Sequence, residues 1–124
     1  MVEISELTYH QPTFYHFSEA SVQLAQLAAE LIGAQKVGHV LDLGAGCGVV
    51  GIEFCLRHPA VEKLCLCEKN TGFTDSILKN IERLPSTECI FKQTDWKKLE
   101  SFFDVILTNP PFYFEGDGRP SPNK

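Results

Sequence analysis

Val40-Leu41-Asp42-Leu43-Gly44-Ala45-Gly46-Cys47-Gly48 is the stretch that decides the fold. It opens inside HVLDL (39–43), an apolar run suited to a strand buried on both faces. Three glycines in five positions then let the backbone turn sharply and approach a ligand closely. An apolar segment follows and ends near Pro59, which reads as a helix. A helix that starts at such a turn presents free N–H groups to electronegative atoms. In open α/β sheets, ligands gather at the carboxyl ends of strands, and this turn lies at one.

Working outward, the same alternation recurs on both sides. Upstream, Glu19 to Ile32 fits a helix, with Val22, Ala25, Ala29 and Ile32 at helical spacing. Ser18 can cap it, Glu19 suits the positive end of its dipole, and Gly33 stops it. Downstream, KLCLC (63–67) reads as a strand and Thr71 to Leu84 as a helix. That helix carries Phe73, Ile77, Ile81 and Leu84 on one stripe and stops at Pro85. ECIFKQ (88–93) and FDVILT (103–108) are the third and fourth strands. Strand–helix–strand alternation with short connections implies a parallel sheet with helices on both faces. The expected domain has a leading segment (1–17), a first helix (18–33), a core (39–112) and a final loop (113–124).

Composition narrows the class. With 44% hydrophobic and 22% charged residues, the 124-residue chain reads as one soluble domain. No apolar run approaches the roughly 18 residues of a membrane span. The acidic, mixed start MVEISELTYHQP does not read as a signal peptide. A net charge of −5 argues mildly against tight nucleic-acid binding by this piece alone, because phosphate contacts need Lys and Arg. Cys47, Cys55, Cys65, Cys67 and Cys89 form an odd set without C-x-x-C pairs, so they read as reduced cytoplasmic thiols rather than metal ligands. His10, His16, His39 and His58 show no ligand spacing, and no metal is expected.

Four places carry chemistry. Gly46-x-Gly48-x-x-Gly51 also satisfies the dinucleotide fingerprint, so the glycine loop alone leaves two cofactor classes open. Read instead as G-x-G-x-G with Asp42 two positions before the first glycine, it resembles the loop of class I methyltransferases. Glu68 ends the second strand, where a carboxylate can accept from both ribose hydroxyls in either cofactor class. Asp95-Trp96 follows the third strand. The fourth place is Asn109-Pro110-Pro111-Phe112, directly after a β-branched strand. The nitrogen of an amino group on an aromatic ring is a poor nucleophile because its lone pair is delocalised. The Asn109 side-chain oxygen and the Pro110 carbonyl could accept its N–H bonds and aim the lone pair at an electrophilic methyl group. Phe112 or Tyr113 could stack on a flipped-out base.

With these residues assembled, the chain resembles the small-domain class I methyltransferases, and more narrowly the bacterial valine-tRNA adenine-N6 methyltransferases. The narrower likeness rests on three stretches. They are Gln11-Pro12 with Tyr15-His16-Phe17-Ser18 and Ser21, the glycine loop, and Asn109-Pro110-Pro111-Phe112 with Gly116, Gly118-Arg119-Pro120-Ser121-Pro122-Asn123. The resemblance implies a Rossmann-like three-layer α/β sandwich with sheet order 3-2-1-4, ending after strand 4 where such domains normally continue. It implies S-adenosylmethionine as cofactor, with the leading segment closing over its methionine end. Asp42, Gly44, Ala45, Gly46, Gly48, Glu68, Lys69, Asp95, Trp96 and Asn109 would bind it. In that family an acidic residue at the place of Asp95 meets the adenine amino group. Asn109, Pro110, Pro111 and Phe112 would be catalytic, and tRNA would be the partner. Two positions depart from the pattern. Ala20 stands where the family usually has Asp, and Phe112 where the tRNA enzymes often have Tyr and guanine-N2 rRNA enzymes Phe. Rival readings are a protein-glutamine methyltransferase and a catalytically silent cofactor-binding fragment. Self-association through an exposed fourth strand is a further expectation.

Overall fold

A computed structural model describes residues 9–99 and 102–109. The elements are α1 (Glu19–Ile32), β1 (His39–Leu43), α2 (Val49–Arg57), β2 (Lys63–Cys67), α3 (Thr74–Asn80), β3 (Glu88–Lys92) and β4 (Val105–Thr108). All strand pairings are parallel and the order is β3-β2-β1-β4, as the resemblance implied. Val40 aligns with Leu64 on one side and Val105 on the other, so the even-numbered residues of β1 and β2 share a face with the odd-numbered residues of β3 and β4.

That face holds the main core. Val40, Leu64, Leu66 and Leu107 pack there with Val22 and Ala25 of α1, Ile52 and Phe54 of α2, and Ile77 of α3. Fully burying an aliphatic or Phe side chain of this kind stabilises by about 1.5–3 kcal/mol. The described helices all contribute to this one cluster. On the opposite face Leu41, Cys65 and Cys67 are covered by Leu43, Leu99 and Phe103, the last two from the connection between β3 and β4. Ile106 on the same face remains 58% exposed.

Local chemistry corrects three details. Ser18 is extended, but its hydroxyl makes no capping bond. Its carbonyl accepts from Ser21 N–H instead (3.0 Å). Gly33 ends α1 as expected, with φ 59° and its N–H on the Ala29 carbonyl. The helix expected over 71–84 is only seven residues of α-helix between two 3₁₀ turns, Thr71–Phe73 and Ile81–Arg83. The Asn70 side chain accepts from Gly72 N–H (2.9 Å), which tightens the start. Pro85 disfavours the α conformation for Leu84, which loosens the end. The buried stripe is Phe73, Ile77, Asn80 and Leu84, with Ile81 only half-buried. β3 stops at Lys92 and β4 begins at Val105, shorter than the expected strands. Asp104 precedes β4 and accepts from the N–H groups of Gly38 and His39 (2.8 Å each). Those donors, His39 first, hold its carboxyl below the usual range.

Candidate active site

The strand order sets the site. Asp95, Glu68, the glycine loop and Asn109 follow the carboxyl ends of β3, β2, β1 and β4, so they lie side by side along one edge of the sheet. In sequence they span 42 to 109. The crossovers bring them together.

The loop itself is held by neighbouring backbone. Gly44 and Ala45 donate their N–H groups to the Cys67 carbonyl at the end of β2 (2.9 and 3.0 Å). Gly44, Gly46 and Gly48 adopt φ 70°, 58° and 92°. At Gly48 a side chain is excluded twice, by the left-handed backbone and by Leu66, which would lie 2.9 Å from an added Cβ. Gly48 then opens α2, and the Ile52 N–H bonds its carbonyl (3.0 Å).

Asp42 sits behind this loop rather than on its open side. It is 1% exposed, and Oδ2 accepts the Gly51 N–H (2.9 Å), which ties α2 to β1. Burial pushes its carboxyl up to about 7; the Gly51 bond opposes this and the Glu68 charge reinforces it. Glu68 is half-buried and reaches both ways: Oε1 accepts Gly46 N–H and Oε2 accepts Asn70 N–H, each at 2.9 Å. A carboxylate offers about four lone-pair sites, so about two remain for a ligand. Lys69 next to it is exposed. Asp95 is bound into its own turn, Oδ1 accepting from Lys97 N–H (3.2 Å) and its carbonyl from Lys98 N–H (3.0 Å). Trp96 opens the 3₁₀ turn Trp96–Lys98.

The leading segment folds against the loop. Tyr15 and Phe14 both meet the Phe73 ring edge-on (5.0 and 5.2 Å between centroids). A methyl group on Gly46 would lie 3.6 Å from the Tyr15 hydroxyl and 3.7 Å from the Phe73 ring. Burial, helped by Cys47, Asp42 and Glu68, pushes the Tyr15 hydroxyl up to about 12. It therefore stays a neutral donor at pH 7. On the other side of the loop, Asn109 Nδ2 donates to Ser21 Oγ (3.1 Å), on the buried face of α1. Because Nδ2 faces α1, Oδ1 is the amide atom left to receive a donor. Pro110, Pro111 and Phe112 lie outside the described residues.

The chain matches the family described as "Methyltransferase small domain" over residues 15–120. The chain belongs to the methyltransferase small domain family. Among its relatives are the ribosomal RNA small subunit methyltransferases C of Escherichia coli and Shigella flexneri, 26% identical over 89 residues. The match takes in 72% of this chain and 26% of theirs, so the chain spans about a quarter of the length of those relatives. Two examples stand among the solved structures that share the fold. One is a candidate RNA methyltransferase of Pyrococcus horikoshii (24% identical, TM-score 0.69, covering 87% of this chain and 56% of that one). The other is coclaurine N-methyltransferase bound to N-methylheliamine and S-adenosylhomocysteine (20%, TM-score 0.58, 81% and 30%).

Within this methyltransferase small domain, two contacts went unread in the sequence. Ser21 was legible as part of a leading motif, but not as the partner of Asn109, because the two are 88 positions apart. Asn80 belongs to none of the sequence motifs. Its signal was a polar residue on the buried stripe of Phe73, Ile77 and Leu84, where only a fully bonded amide is tolerated. The five cysteines are free thiols, and burial pushes those of Cys47 and Cys55 up to about 11 and 12, which suits packing rather than nucleophilic chemistry. Among the described residues no cluster could hold a metal ion, and no helix is long and apolar enough to cross a membrane.

Proposed function

We propose that this chain is the cofactor-binding part of an S-adenosylmethionine-dependent N-methyltransferase acting on the exocyclic amino group of an RNA base, with adenine N6 of tRNA as the first candidate. The observation that carries it is the held amide of Asn109, at the end of β4 beside the glycine loop of β1.

The residues fit the cofactor. The three left-handed positions of the loop carry no side chain, the Ala45 and Cys47 side chains between them are buried, and Glu68 keeps lone pairs for two ribose hydroxyls. Tyr15 offers a hydroxyl over the loop, and Lys69, Asp95 and Trp96 follow the neighbouring strands. Asp42 acts from behind by fixing Gly51 and therefore the start of α2. The bound cofactor supplies an electrophilic methyl group on a sulfonium. Asn109 Oδ1, with the Pro110 carbonyl, accepts the N–H groups of the target and turns its lone pair toward that methyl. Ser21 Oγ tethers the amide by accepting from Nδ2. Positioning and electrostatics do the catalytic work, and the proton leaves after transfer, so no strong base is required.

A second substrate is favoured by two observations: Phe112 in the aromatic position and relatives named for ribosomal RNA. It is the guanine N2 of ribosomal RNA. A cytoplasmic location belongs to the same proposal, in keeping with five free thiols. The test uses the complete gene product with methyl-labelled cofactor on tRNA, ribosomal RNA and a glutamine-bearing peptide. Label in tRNA adenine supports the first reading; label in ribosomal guanine selects the second; label in the peptide alone refutes both. Asn109→Ala should lower transfer by about 100-fold, as loss of one preorganised polar contact does, with cofactor affinity nearly unchanged. Near-normal turnover in that variant would make the loop structural and the mechanism wrong.

A further inference from the structure

Asn80 joins three parts of the molecule that are remote in sequence. It ends α3, is 1% exposed, and uses both faces of its amide. Oδ1 accepts His10 N–H (2.8 Å), while Nδ2 donates to the His10 carbonyl (2.9 Å) and to the Cys47 carbonyl (2.8 Å). The two bonds to His10 copy the reciprocal pairing of one backbone residue with another in a sheet. They fix the direction of the leading segment as well as its place. The third bond holds the residue between Gly46 and Gly48. An aspartate could not do this, since it has no donor, and an alanine could make none of the three bonds.

From that anchor the segment folds back on itself. Tyr15 N–H bonds the Pro12 carbonyl (3.1 Å), and Phe17 N–H bonds Gln11 Oε1 (2.6 Å). The result sets Phe14 and Tyr15 against Phe73 and the Tyr15 hydroxyl above Gly46. The lever is therefore short: Asn80 grips the chain five residues before Tyr15 and grips the glycine loop directly beside Gly46. Buried amide groups are costly when unpaired, so the grip is held as a whole or lost as a whole.

We propose that Asn80 is a positioning residue for the cofactor site: it seats residues 10–17 over the glycine loop, and cofactor affinity depends on that seat. The second clause rests on the reading of the site as one for S-adenosylmethionine; the first does not.

Two measurements on the 124-residue chain separate them. Amide hydrogen exchange without cofactor reads the seat. Calorimetric titration with S-adenosylhomocysteine, well below the urea midpoint, reads the affinity. In Asn80→Ala, exchange over residues 10–17 should quicken at least about tenfold while β1 and β2 keep their protection. The dissociation constant should rise by about tenfold, the factor expected when the competent arrangement falls to about a tenth of the population. A merely structural role would lower the urea midpoint and leave the affinity of the folded protein unchanged. His10→Pro covers the case in which Asn80→Ala fails to fold, because it removes one N–H and leaves the bond to Cys47 in place; it should loosen the same segment. Unchanged protection of residues 10–17 in both variants overturns the proposal. A loosened segment with unchanged affinity overturns the positioning role. No binding of S-adenosylhomocysteine by the unmodified chain refutes the cofactor reading and the affinity clause with it, and exchange still decides the seat.

Discussion

Asp42→Asn gives the sharpest physical test of the fold, because it acts on a carboxyl sealed under the glycine loop. Asp42 accepts one N–H from Gly51 and is raised from its ordinary 3.8 to about 7, chiefly by burial. Between about pH 4 and pH 7 the folded chain therefore keeps a proton that the unfolded chain has lost. Where the folded state binds more protons, stability falls as pH rises, so this carboxyl's contribution disappears across that window. A difference of about three pH units at 1.36 kcal/mol each is worth about 4 kcal/mol. That is a large part of the roughly 5–15 kcal/mol that holds a domain together. Asparagine keeps an oxygen for Gly51 N–H and removes the ionisation. Its new NH₂ costs about 1–3 kcal/mol if it finds no acceptor. The variant should therefore be more stable than the parent at pH 8 by about 1–3 kcal/mol, and equal or less stable at pH 5. Urea melts of both proteins at pH 5, 6, 7 and 8 give the difference, which cancels every group they share. A difference that stays constant with pH, or that favours the parent more as pH rises, would show that Asp42 is ionised throughout and that its burial has been misjudged.

Three further outcomes are expected. Glu68→Ala should weaken S-adenosylmethionine binding by about 1–3 kcal/mol in calorimetry, through lost bonds to a charged acceptor, and saturable NAD binding instead would reverse the choice of cofactor. Gly51→Ala should destabilise by about 1–3 kcal/mol in a urea melt, because the added methyl would lie 2.9 Å from Asp42 Oδ2 and from Leu64 Cδ1; an unchanged midpoint would mean that α2 can shift freely. The 124-residue chain should self-associate in light scattering, since β4 is an edge strand of the described sheet with Ile106 58% and Phe102 94% exposed; a concentration-independent monomer with a cooperative melt would refute this.

The sequence by itself determined the elements and their order. α1, β1 and β2 coincide with the segments read from apolar runs and their stops, because a buried parallel strand and a glycine-ended helix are written locally. The strand order came from the family resemblance carried by the glycine loop and the Asn109 segment, not from periodicity. Where a local rule met a competing bond, it lost: the Ser18 hydroxyl yielded to a backbone bond, and the 71–84 helix broke at Asn70-Thr71-Gly72 and before Pro85. Tertiary structure alone decided what the site residues do. Asp42, which the resemblance assigns to cofactor binding, is buried and holds Gly51 N–H. Glu68, read as a carboxylate able to accept from two ribose hydroxyls, also holds Gly46 and Asn70 N–H. Ser21 with Asn109, and Asn80 with His10 and Cys47, are pairings across 88, 70 and 33 positions. A hydrogen bond needs two groups within about 3 Å, and no periodicity in the chain encodes that distance; only the crossovers of the sheet bring such groups into reach.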